Sequence, residues 1–145
     1  MTSWRDSLSK TVAGEMDELL DASLKAAKER LDADDVLLPF VQVVEDDGSQ
    51  GTRMVEIVED VRPDQLLEEL FEKLRAERDQ VRAVAVVFDA IVGGARAVQV
   101  LLEHRSPKAP ALVLAAPYKA QKRRHQIGEV RAAEGERRIW PVAAD

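Results

Sequence analysis

The chain has 145 residues, of which 46% are apolar and 33% charged, with a formal net charge of −6 and no cysteine. A chain of this length buries roughly 70% of its unfolded surface, enough for one self-sufficient domain over residues 1–145. The missing cysteines exclude disulfides, a thiolate nucleophile and thiolate metal ligation, and they fit a reducing compartment.

No apolar run approaches the ~20 residues of a membrane-spanning helix, and the start MTSWRDSLSKTVAGEMDELL lacks the continuous apolar core of a signal peptide. A cytoplasmic protein with no membrane partner is therefore expected. The charge is uneven. Residues 1–80 carry 10 Lys/Arg and 21 Asp/Glu, a balance of −11, whereas residues 81–145 carry 11 and 6, a balance of +5. Such asymmetry marks either an interaction surface or acidic helices offset by basic strands within the fold.

Residues 3–31 read as a long helix. Trp4, Leu8, Val12, Met16, Leu19, Leu20, Leu24, Ala27 and Leu31 recur every three or four positions and form one apolar stripe. Thr2 or Ser3 can cap its start, Gly14 is a place for a kink or a split, and the acidic run at 32–35 ends it. Residues 36–45 and 52–59 read as two strands around the polar turn at 46–51, with Pro39 near a strand end because it cannot donate to a ladder. Arg62-Pro63-Asp64 opens a second helix, which buries Leu66, Leu67, Leu70, Phe71 and Leu74 and ends near Asp79.

The run VRAVAVVFDAIVGGARAVQVLLEH at 81–104 is the centre of the sequence. Two β-rich segments meet at Gly93-Gly94, where a two-residue hairpin turn needs positive φ at both positions. Residues 111–118 form another strand, and segments 126–132 and 137–142 are expected to pair as a last hairpin around Glu134-Gly135. The order is α-β-β-α-β-β-β, followed by β-β. We expect an α+β domain, with an antiparallel sheet of about five to seven strands and two amphipathic helices on one face.

Asp89 invites a catalytic role because it interrupts an apolar strand. If Val92 pairs with Ala95, Asp89 lies opposite Val98 with Arg96 as its diagonal neighbour, and a cross-strand ion pair is expected. Asp89 with Glu103-His104-Arg105 resembles the metal-dependent nucleases of the PD-(D/E)xK type in residue type. The same register places Glu103 near Val84, on the other face and roughly 16 Å from Asp89, too far to share a metal.

No GxSxG elbow, P-loop, GxGxxG or HExxH occurs. His104 and His125 lack the spacing of paired metal ligands and read as surface residues. No catalytic residue, metal or cofactor is expected, although carboxylates distant in sequence leave a small hydrolase or nuclease as an alternative.

Lys119, Lys122, Arg123, Arg124 and His125 form the densest basic cluster and are the candidates for binding an anionic ligand. Only Tyr118 stands beside them for stacking, and the acidic pI of about 5.1 opposes general nucleic-acid binding.

The element order looks like that of the roadblock/longin and profilin-like domains. That likeness implies a non-catalytic adaptor that dimerises through a sheet edge or a helix. The expected function is accordingly a protein-interaction module whose partner is itself or another protein, with Trp4, Leu8 and Trp140 as anchors.

Overall fold

The computed structural model describes residues 8–34, 37, 39–54, 63–121 and 124–140. In chain order the elements are α1 (Lys10–Asp34), β1 (Phe40–Glu45), β2 (Gln50–Met54) and α2 (Pro63–Ala76), then a 3-10 turn (Arg78–Gln80). They continue with β3 (Val81–Val92), β4 (Ala95–His104), β5 (Leu112–Gln121), β6 (Arg124–Ile127) and β7 (Arg131–Glu134). The strands form an antiparallel sheet in the order β2-β1-β3-β4-β5, with β6 and β7 both on the outer edge of β5. The α+β class and the element order are those expected.

The helices, however, lie on opposite faces of the sheet instead of sharing one. Met16, Leu19, Leu20, Ala27 and Leu31 of α1 pack against Phe40, Val44, Ala83, Ala85, Val87, Val98, Val100 and Leu102. Leu70, Phe71 and Leu74 of α2 pack against the alternate positions Val41, Val43, Val84 and Val86. The physical reason lies in residues 83–87, AVAVV, where every position is fully buried. A strand buried on both faces reads as a continuous apolar run, and it needs a cover on each side. One-face coverage would have demanded alternation.

Within α1, Ser9 caps the described start: its Oγ accepts from the Val12 amide at 3.2 Å, and Thr2 and Ser3 lie outside the described residues. The helix runs through Gly14 without a break. Residues 55–62 and the helix expectation at residues 3–7 lie outside the described residues, Trp4 among them.

The central hairpin has the expected register, with Val92 paired to Ala95 and Asp89 to Val98, and with φ of 59° and 81° at Gly93 and Gly94. It is longer than its neighbour: β1 pairs with β3 only as far as Val87 opposite Phe40, so residues 88–92 extend past β1.

The last hairpin is a correction. β6 and β7 do not pair with each other; β7 runs along residues 112–115 of β5 and β6 along residues 118–121. Gly135 is not a turn apex. Its amide donates to the Ala111 carbonyl at 2.7 Å, and a Cβ there would meet Val113 Cγ2 at 2.8 Å. Glycine is needed for close approach, and the chain past it forms no strand as far as Trp140. Pro117 sits where the edge changes partner. Its carbonyl accepts from Gly128, between the β6 and β7 segments, and its missing N–H points into that same gap.

Candidate functional site

Three polar clusters and one bare apolar surface are the places where function could reside. The first cluster is built on Glu103, which is 5% exposed near the end of β4. Its carboxylate accepts backbone amides from Arg138 (2.8 Å), Ile139 (2.9 Å) and Trp140. Arg137 completes the attachment by donating to the carbonyls of His104, Ser106, Ala109 and Trp140. Arg75 and Arg78 of the α2 region donate to the carbonyls of Arg138 and Ile139. Successive amides converging on one carboxylate make an anion cradle, and here the chain's own acid fills it. The result is a latch that presses Ile139 (1% exposed) against Leu70, Phe71 and Leu74.

The second cluster ties α1 to the opposite face. Glu15 accepts from Arg82 at 2.9 Å and faces His104 Nε2 at 3.0 Å. His104 Nδ1 accepts from the Ser106 amide at 3.0 Å, which assigns the proton to Nε2 and directs it at Glu15. Burial opposes ionisation of Glu15, but hydrogen bonds from His104 and Arg82, with their electrostatic attraction, hold its carboxyl below the ordinary range. Arg82 Nε is buried without a hydrogen-bond partner. His104 is only 4% exposed, so the expectation of a surface histidine is corrected. A strand-end polar residue is buried here because α1 brings a partner from 89 positions away.

The third cluster is Asp89, paired with Arg96 at 3.2 Å as the register requires. Its other oxygen accepts from the Tyr118 hydroxyl at 3.0 Å, and the Arg96 guanidinium stacks over the Tyr118 ring. Glu103 lies opposite Val84, five positions along from Asp89 and on the other face, so no shared metal site forms. Among the described residues no group of three or more His, Cys, Asp or Glu is placed to hold a metal ion. In all three clusters the acid is already bonded to donors from the chain itself, and His104 uses both ring nitrogens, leaving no free base aimed at a cavity.

Of the candidate anchors, Leu8 is partly buried against the α1 cluster and Trp140 partly buried against the α2 cluster. Lys119 is exposed on β5; Arg124 and His125 fall in β6, and Lys122 and Arg123 lie outside the described residues. No described helix is long and apolar enough to cross a membrane.

The bare surface is on the α2 side. α2 covers the β1 and β3 part of that face, and the latch lies over Leu101 and Glu103 of β4 and over Ala111 and Val113 beside them; among the described residues the hairpin end of the face stays open. There β3, β4, β5 and β7 present Ala90, Val92, Ala97, Ala115, Pro117 and Ala133 beside the polar Gln99, while Phe88 packs against the α2 cluster. Of these only Ala97 is fully buried, while Val92 is 47% exposed. Val92, Ala97, Ala115, Pro117, Glu129 and Arg131 line an open depression of about 180 Å³. Ile91, at the hairpin tip and on the α1 side of β3, is 77% exposed. The sequence missed this surface because alanines and a proline in strands carry no signal of their own. The chain matches no protein-family model, no curated protein and no solved structure.

Proposed function

We propose that the chain is a protein-interaction module that associates with itself through the bare half of the α2-side face. The observation that supports this reading most is the open depression around Val92, Ala97, Ala115 and Pro117, rimmed by Glu129 and Arg131. Soluble monomers rarely leave contiguous apolar area open, and a rim of charge around it is the pattern of a protein interface. The closed polar clusters add support, since none presents a free acid or base to a substrate.

The test is molar mass in solution by light scattering after size exclusion, at low and high salt. The wild type is expected at twice 16.1 kDa. Val92→Asp, which places a charge at the hairpin end of the surface, is expected at the monomer mass with unchanged circular dichroism. A wild-type monomer at every concentration would end the reading.

A further inference from the structure

Glu103 and His104 are consecutive in β4, so strand alternation sends one side chain to the latch on the α2 face and the other to Glu15 of α1. The turn that follows, residues 104–109, is bonded on both sides. The Ser106 amide donates to His104 Nδ1 at 3.0 Å, and the Ala109 amide closes the turn on the Ser106 carbonyl at 3.1 Å. The carbonyls of His104, Ser106 and Ala109 converge on the Arg137 guanidinium at 3.0, 3.1 and 2.6 Å. They converge only while the turn keeps this shape, and Arg137 immediately precedes the residues whose amides Glu103 holds.

We propose that this turn is a relay across the sheet: the contact between Glu15 and His104 on one face sets how firmly the latch is held on the other. The tautomer of His104 is the element with two states. An N–H at Nε2 donates to Glu15 and leaves Nδ1 free to accept from Ser106. An N–H at Nδ1 would face the Ser106 N–H, and the turn would have to shift. Glu15 keeps the ring in the first state: its carboxyl is held below the ordinary range, so it accepts and Nε2 donates. Without it, Nε2–H and Arg82, which share that carboxylate, would be two donors without an acceptor in a site where His104 is 4% exposed. Moving the proton to Nδ1 lets Nε2 accept from Arg82 and gives up the Ser106 bond.

What the relay governs is the cover over part of the α2 face. Ile139 packs against Phe71 and Leu74, and with Phe71, Leu101 and Val113 it lines the seam beneath the latch. A loosened latch uncovers these apolar side chains, so the docking of α1 on one face is linked to exposed apolar area on the other. Linkage is reciprocal: releasing Arg137 must loosen the hold on the His104 tautomer by the same factor.

Amide hydrogen exchange at Arg138, Ile139 and Trp140, together with the ring nitrogen shifts of His104, reads both ends of the relay. Glu15→Ala should move the ring proton toward Nδ1 and speed exchange of those amides about tenfold. Leu24→Ala, which thins the packing of α1 roughly 13 Å further along the helix, should leave them unchanged. Arg137→Lys keeps the charge but not the planar fork that spans the carbonyls, and it should shift the His104 ring signals while Glu15 is intact. Unchanged exchange in Glu15→Ala would overturn the relay. So would equal acceleration in Leu24→Ala, or a loosened latch with the proton still on Nε2. Should Glu15→Ala fail to fold, Arg137→Lys decides alone: an unmoved His104 ring contradicts the proposal.

Discussion

The two faces of the sheet solve the same burial problem with different amounts of helix. On one face α1 provides 25 residues, about 37 Å of helix. Together with Ile127 and Val130 it closes over a cluster that reaches from Phe40 to Tyr118. On the other face α2 provides 14 residues, about 21 Å, and the latch at Glu103 adds a short patch of backbone. Among the described residues, the α1 face is covered over the length of the helix, and the α2 face is covered over β1 and β3 and, by the latch, at the Glu103 end of β4. A finished face contributes stability, whereas an unfinished one is where association can act.

Substitutions on the two faces should therefore differ in what they change. The largest loss is expected on the closed face: Leu19→Ala, at a fully buried position, should cost about 3–4 kcal/mol in urea unfolding without altering monomer contacts. Glu103→Ala should come close, at about 3 kcal/mol, because several backbone amides lose their acceptor and Ile139 loses its hold. Glu103→Gln should keep part of that. If Glu103→Ala were neutral, the latch would be incidental.

Glu15→Gln should cost about 1–2 kcal/mol near neutral pH and change the acid limb of stability. The carboxyl of Glu15 is held below its ordinary 4.5 in the fold. Its contribution is fully present above the unfolded value and disappears as pH falls through the folded one. The wild type should therefore lose stability faster than Glu15→Gln below about pH 4.5, and parallel curves would contradict the ion-pair account. On the bare half, Val92→Asp should change unfolding by less than about 0.5 kcal/mol while abolishing self-association. Asp89→Asn should cost only about 0.5 kcal/mol, since its pair with Arg96 is partly solvated.

What the sequence disclosed follows from range. The hairpin register, the Asp89–Arg96 pair and the helix stripes depend on neighbours within a few residues, and periodicity and the Gly93-Gly94 turn suffice to place them. The two-sided cover was also present in the text of the chain, as the unbroken run at 83–87, but its meaning competes with that of a one-sided strand unless alternation is tested. Glu103 and His104 were not legible as buried groups. Their partners are 35–37 and 89 positions away, and nothing local says that Arg138, Ile139, Trp140 and Glu15 will meet them. Gly135 misled because a glycine after a strand signals a turn as readily as a close approach, and only Val113 decides between them.

The most direct test of the central claim is the backbone amide chemical shift of each residue followed by NMR as the protein is diluted. The account predicts shifts concentrated on β3 at Val92, on β4 at Ala97, on Ala115 and on Arg131. Shifts confined to α1, or no concentration dependence at all, would contradict it.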